Sequence, residues 1–202
     1  MKYLYLIDSG HGGNRADGTY VTYPAKMYEH SPSEIFYEGV FNRQIKTLLM
    51  GMLWDNDIAC IDVCPTEEDL PLSVRVDIIN SIYKKYENTV LISLHSNAGG
   101  GRGFEVWTSH GQTRSDKFAE LLAKQFGRSF PDLKLRVDTS DGDLDKEAAF
   151  YILKNTHCPA VLPECLFFDN YNEYLLLDNP DFRIAYAKVL LAFIQEAETL
   201  DI

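Results

Sequence analysis

Five short segments rich in β-branched and aromatic residues, at 3–8, 57–63, 90–94, 103–108 and 159–163, are separated for the most part by stretches with helical periodicity. That alternation restricts the fold more than any other feature. It predicts an α/β fold, a single-domain, open twisted, mostly parallel sheet with helices on both faces. The predicted helices are 38–53, 71–87, 114–128, 146–155 and 181–198. The first carries an apolar stripe of Val40, Phe41, Ile45, Leu48, Leu49 and Met52. The second opens with Pro71 near its first turn, where a missing N–H removes no helical bond. Between residues 12 and 37 the chain is rich in Gly, Tyr, Pro and Ser, long for a simple link and therefore expected to form a functional rim. Residues 138–143 are a second irregular stretch. Neither a repeat nor a Pro/Ser-rich linker marks an appended module, so residues 1–202 are expected to be one domain.

Composition excludes several classes of function. A net charge of −11 and a pI near 4.8 do not suit a surface that tracks nucleic-acid phosphates, so no nucleic acid is expected as a partner. No window approaches the roughly 18 unbroken apolar residues of a membrane helix. Residues 1–8 carry one positive charge and an apolar run broken at Asp8, which predicts a buried first strand and no signal peptide. The cysteines, Cys60, Cys64, Cys158 and Cys165, form no CxxC pair and are expected to be reduced, small buried residues.

The chemistry-bearing residues follow the predicted strands. Ile7-Asp8-Ser9-Gly10-His11-Gly12-Gly13 puts a histidine straight after an apolar strand, between glycines that permit tight turns and close approach. Leu91-Ile92-Ser93-Leu94-His95-Ser96-Asn97-Ala98 repeats the arrangement. In a parallel sheet the carboxyl ends of the strands open on one crevice, so His11 and His95 are expected to converge there. Glu38 opens the first predicted helix; taken alone, it reads as a solvated carboxylate favoured by the helix dipole. With both histidines it completes two imidazoles and one carboxylate, the ligand set of a catalytic zinc site with a fourth position left to water. Glu164 ends the apolar run from Pro159 to Pro163 and is the candidate general base, against the plainer reading of a strand-end carboxylate facing solvent or an arginine.

With these residues in view, the chain resembles the N-acetylmuramoyl-L-alanine amidase family of bacterial cell-wall amidases and phage endolysins. The family's L-D-P-G-H-G-G is similar to the stretch around His11, and its E-x-x-x-N to Glu38 and Asn42. Its L-x-x-R-x-x-x-A-N is similar to Leu72, Arg75 and Asn80, and its S-I-H-A-N-A to Ser93 through Ala98. Its N-T-x-x-P-A-V-L-V-E-x-G-F-x-S-N resembles Asn155 through Asn170. The resemblance runs over nearly the whole chain. It implies one Zn2+ held by His11, Glu38 and His95, with Glu164 as catalytic acid/base. The implied reaction is hydrolysis of the amide joining the lactyl group of N-acetylmuramic acid to L-alanine of the stem peptide, with peptidoglycan as substrate. Ser9, Ile79, Ser96 and Leu166 depart from the family pattern, and Leu166 stands where the family has a glycine two residues after the catalytic glutamate.

The same metal chemistry could serve a zinc peptidase cutting within the stem peptide, and the fold could serve a metal-free wall-binding module. No separate cell-wall-binding domain is expected. Action on the wall without a visible export signal suggests a protein held in the cytoplasm until release as a phage or prophage lysin. Arg75 is expected in a helix-surface ion pair, and His30, His110 and His157 at the surface. Asn97 either steadies the His95 loop or meets substrate. Tyr20, Tyr23 and Tyr28 are expected to pack the long loop, the alternative being stacking on sugar rings.

Overall fold

The computed structural model describes residues 2–140 and 142–200; Met1 of the predicted first strand and Asp141 of the second irregular stretch lie outside the described residues. Six strands form one open sheet in the order β4-β1-β5-β8-β6-β7. They are β1 (Leu4–Ser9), β4 (Cys60–Asp62), β5 (Thr89–Asn97), β6 (Glu105–Thr108), β7 (Lys146–Glu147) and β8 (Ala160–Phe167). β4, β1, β5 and β8 run parallel, and β6 pairs antiparallel to β8. The fold is the α/β arrangement expected of alternating strands and helices, with helices on both faces.

The period of two along the strands decides which helix covers which face. Tyr5 and Ile7 of β1, Val90, Ile92 and Leu94 of β5, and Val161 of β8 share one buried cluster. They pack with Phe41, Ile45 and Leu49 of α1 (Glu38–Asp55), Phe118, Leu122 and Phe126 of α3 (Arg114–Ser129), and Tyr186, Leu190 and Phe193 of α6 (Pro180–Thr199). The intervening Leu6, Leu91, Ala160 and Leu162 face the other way, onto Val76 and Ile79 of α2 (Leu72–Tyr83) and Ile152 and Leu153 of α4 (Tyr151–Asn155). Thus α1 and α2, which connect β1 to β4 and β4 to β5, lie on opposite faces. The chain changes sides at β1, and a crevice opens between the carboxyl ends of β1 and β5.

Several elements differ from the sequence expectation. The strand expected at 57–63 is confined to Cys60–Asp62, because Asp57 turns the chain out of α1 with φ 56°. The strand expected at 159–163 runs on through Pro163 and Glu164 to Phe167, so Glu164 lies within it. The helix expected at 146–155 is only Tyr151–Asn155; Lys146 and Glu147 instead pair with Trp107 and Thr108 as edge strand β7, tertiary pairing overriding helical propensity. Residues 12–37 include an antiparallel hairpin, β2 (Met27–Ser31) and β3 (Glu34–Tyr37), leading directly into α1. Helix α5 (Tyr171–Asp178) was not expected; its N-cap is Asn170, whose side chain accepts from Glu173 N. Among the described residues no helix is long and apolar enough to cross a membrane. All four cysteines are free thiols, three buried and Cys60 partly so.

Candidate metal centre

His11 follows β1, Glu38 is the first residue of α1, and His95 lies near the end of β5. The topology brings these three, well separated in sequence, together at the crevice. One ligand atom from each lies within 4.8 Å of the others, the only such group of His, Cys, Asp and Glu among the described residues. His95 Nδ1 is 2.9 Å from Glu38 Oε1, and the two imidazole rings meet edge to face at 5.0 Å. His11 Nε2 is 3.3 Å from the same oxygen, yet it is buried with no aligned hydrogen-bond partner among the described residues. Two imidazole nitrogens, one of them unsatisfied, around an almost fully buried carboxylate make a donor set that fits Zn2+.

Electrostatics within this cluster are strong. Burial alone would raise the pKa of Glu38, but the polar contacts and charge of His11 and His95 outweigh it and hold the carboxyl well below the usual range. For His95, burial opposes protonation, and the bond to Glu38 with the charges of Glu38, Glu164 and Asp8 overcomes it, so its pKa is raised. Glu38 is not the solvated carboxylate that its position alone suggested: it occupies the first turn of α1, but it is 2% exposed and faces both histidines.

Close backbone approach fixes the ligand geometry. A Cβ at Gly10 would stand 2.2 Å from His95 Cε1, and one at Gly39 would stand 1.8 Å from the carbonyl oxygen of Gly12. Only glycine allows the His95 ring and the start of α1 to close on the β1 turn. His11 itself has φ 64°, the left-handed region that costs a side-chain-bearing residue roughly 1–2 kcal/mol. Its carbonyl is gripped by Arg43 Nη1 at 2.9 Å and Arg75 Nη2 at 3.2 Å.

Arg75 is therefore not in the surface ion pair that its helix suggested: it is 2% exposed, and its Nη1 donates to Asp8 Oδ1 at 2.8 Å and to the Ser9 carbonyl at 2.7 Å. Asp8 in turn accepts from Ser93 Oγ at 2.6 Å. Burial opposes the charge on Asp8, but Arg75 and Ser93 keep its pKa lowered. Asn42 donates to the Gly10 carbonyl at 3.2 Å, and Asn97 donates to Glu105 at 2.7 Å.

Glu164 is the register partner of His95 on β8, and Glu105 of β6 faces it from the other side. Its Oε2 is buried and has no hydrogen-bond partner among the described residues. Burial pushes its pKa up to about 8, with Glu38 and Glu105 adding to the rise and His95 opposing it. Just beyond Glu164, Leu166 adopts φ 59° while fully buried, where β8 carries an extra residue relative to β5 between His95 and Asn97. The position at which the family pattern has glycine thus keeps a left-handed backbone with a leucine on it.

A cleft of about 320 Å3 lined by His11, His95, Asp69, Leu70 and Leu72 adjoins the centre. A larger groove of about 530 Å3 beside Val40, Leu48, Pro180 and Ile184 contains none of the three clustered side chains. Of the remaining expectations, His110 and His157 are exposed, but His30 is wedged between Tyr28 and Tyr174, with Nε2 2.9 Å from the Phe168 carbonyl oxygen. It ties the hairpin to the end of β8. Tyr20 is buried and bonds to the Lys26 carbonyl and Gly39 N, and Tyr28, though exposed, packs edge to face on His30, whereas Tyr23 is exposed and does not pack the loop as expected. Sequence reasoning missed Glu105 and the cations around it; only alternation within β6 hinted that Glu105 and Trp107 share a face.

A family model described as N-acetylmuramoyl-L-alanine amidase matches residues 6–196. The N-acetylmuramoyl-L-alanine amidase CwlM of Bacillus licheniformis is 26% identical over 171 residues, 83% of this chain and 58% of that protein, so the chain spans little more than half the length of this relative. In fold, the chain is similar to an N-acetylmuramoyl-L-alanine amidase from Clostridium difficile 630, with TM-score 0.76 and 23% identity over 100% of this chain and 99% of the other. AmiC2 of Nostoc punctiforme gives 0.74 and 18% over 99% of each chain. The catalytic domain of the CD27L endolysin, targeting Clostridia difficile, gives 0.65 and 20% over 96% and 97%.

Proposed function

The chain belongs to the N-acetylmuramoyl-L-alanine amidase family, and from that premise we propose that it is a zinc-dependent hydrolase of peptidoglycan. It cleaves the amide between the lactyl group of N-acetylmuramic acid and L-alanine of the stem peptide. The observation that carries this reading is the meeting of His11, Glu38 and His95 within 4.8 Å, with Glu164 beside His95 in the sheet. These three residues would hold one Zn2+, and the described residues act as one catalytic unit on the wall. When bound, the ion supplies a positive centre that acidifies water and polarises a carbonyl oxygen.

The chain's own groups divide the remaining work. Asp8, Arg75 and Arg43 hold the His11 turn, and Glu38 orients His95 through Nδ1. Glu164 Oε2, with no donor among the described residues, takes a proton from the attacking water. The same oxygen returns that proton to the alanine nitrogen as the C–N bond breaks. A carboxyl whose burial brings its pKa close to neutrality suits both directions of transfer.

Digestion of purified peptidoglycans of different chemotypes, with and without a chelator, tests the proposal by mass spectrometry. The expected products are unsubstituted glycan strands and intact stem peptides with free L-alanine N-termini, abolished by the chelator. Truncated peptides still attached to muramic acid would identify a peptidase instead, and chelator-resistant cleavage would remove the metal from the mechanism.

A further inference from the structure

Beyond Glu164, the row of register partners continues to Glu105. This carboxylate is 3% exposed and receives four donors: Asn97 Nδ2 at 2.7 Å and Trp107 Nε1 at 3.1 Å on Oε1, Arg136 Nε at 2.6 Å and Lys146 Nζ at 2.8 Å on Oε2. The two cations are further fixed on aromatic faces, Arg136 over Phe167 at 5.0 Å and Lys146 over Trp107 at 5.1 Å. Only Arg136 Nε is used in the bond to Glu105; among the described residues the terminal guanidinium nitrogens have no hydrogen-bond partner, and the side chain is 29% exposed. Lys146, 20% exposed, has donors to spare beyond its single bond.

Two cations share the one carboxylate of Glu105, with Glu173 also near Arg136 and Asp138 near Lys146. A structural ion pair needs only one of them. The outward fork of a guanidinium anchored through Nε is the geometry that receives a carboxylate with two parallel bonds. The distance fits as well. β6 is two strands from β5, so the Glu105 backbone lies roughly 10 Å from that of His95, about three residues of extended peptide.

We propose that Arg136 and Lys146, moored on buried Glu105, form a subsite for a free carboxylate within the first three residues of the stem peptide. The assignment rests on the amidase reading above. It makes the side of the crevice beyond Glu164 the peptide side, and it makes charge on the peptide a determinant of which wall fragments are cut.

The test compares two synthetic N-acetylmuramoyl tripeptides, one with free side-chain and terminal carboxylates and one with carboxamides at those positions, cut by the full zinc-loaded chain. The wild-type protein is expected to favour the carboxylate form by about 10- to 100-fold in kcat/KM, mostly through KM. Arg136→Gln with Lys146→Gln should erase most of that preference, and Arg136→Lys should restore part of it. Equal kcat/KM for the two substrates with wild-type protein overturns the subsite and leaves the amidase reading standing; this comparison needs no variant to fold. Equal losses on both substrates in the double variant, with an unchanged melting temperature, overturn it too. Hydrolysis of neither substrate overturns the amidase reading and the subsite with it.

Discussion

Arg75 on α2 donates from Nη2 to the backbone carbonyl of His11, 3.2 Å away, and from Nη1 to Asp8 on the strand that leads there. A buried guanidinium thus ties the first helix of the opposite face to the left-handed turn presenting one imidazole of the centre. Arg75→Ala would leave Asp8 charged, buried and unpaired, at a cost of about 3–5 kcal/mol. Arg75→Lys keeps the charge and loses the fork, so it should fold with a smaller penalty but bind Zn2+ more weakly. Urea denaturation and zinc titration of both variants check this; undiminished zinc affinity in Arg75→Lys would show that the grip on His11 is irrelevant to the centre.

Glu164 is assigned proton transfer and no part in holding the ion. Glu164→Ala should therefore keep about one zinc per chain while kcat/KM on peptidoglycan falls by roughly 10²- to 10⁴-fold. Release of free L-alanine N-termini and metal content are the two readouts. Activity near wild type would make Glu164 the wrong base.

What could be read from the sequence depended on whether a residue's partners were local. The helices near 38–53, 71–87, 114–128 and 181–198 show their apolar stripes within their own segments, and they stand at Glu38–Asp55, Leu72–Tyr83, Arg114–Ser129 and Pro180–Thr199. His11 and His95 could be picked out because glycines and apolar strands flank them in the chain. Arg75 could not be placed correctly, since its partner Asp8 is 67 positions away and only the packing of α2 on the sheet face of Leu6 buries the pair. Lys146 reads as helical by propensity, and it is the pairing with Trp107 and the pull of Glu105 that extend it. The hairpin Met27–Ser31 and Glu34–Tyr37 was hidden because Met27–Ser31 is short and half-exposed and Ile35, Phe36 and Tyr37 run consecutively, so neither strand shows a clean apolar alternation.

Leu166 offers a backbone test. At an ordinary strand position glycine is worse than alanine by roughly 0.5–1 kcal/mol, but φ 59° reverses that order. Both truncations lose a fully buried leucine, about 2–5 kcal/mol. Leu166→Gly should nonetheless be more stable than Leu166→Ala, by on the order of 1 kcal/mol. Chemical denaturation of the two variants decides, and a more stable alanine variant would refute the strained backbone.

Zinc binding should appear in stability without any assay of turnover. A ligand that binds only the folded chain stabilises it by about 2.7 kcal/mol at 100 times its Kd, which is roughly 5–10 °C in Tm for a chain of this size. Removal of metal by a chelator should lower Tm by that order, readdition of zinc should restore it, and His95→Ala should abolish the response. A Tm indifferent to chelator and zinc would count against a metal centre at His11, Glu38 and His95.

Away from the centre, Asp145 sets a pH dependence of its own. It is 2% exposed, accepts from Thr108 Oγ1 through Oδ2 at 2.5 Å, and lies against the Asp143 carboxyl. Burial first, then the neighbouring carboxylates Asp143 and Asp116, push its pKa up to about 7 from an ordinary 3.8, against the bond from Thr108. A raised folded-state pKa means that the folded chain binds the proton more tightly than the unfolded chain. The associated stability is complete below pH 3.8 and is lost as the pH rises through about 7. Asp145→Asn imitates the protonated group and should escape that loss. Relative to wild type, its stability should rise between pH 5.5 and 8.5 by on the order of 1 kcal/mol. Urea melts of both proteins across that range measure it. The pairwise comparison cancels the titration of groups that do not interact with Asp145, so a difference that stays constant with pH would show that neither Asp145 nor the carboxylates coupled to it carry the proton.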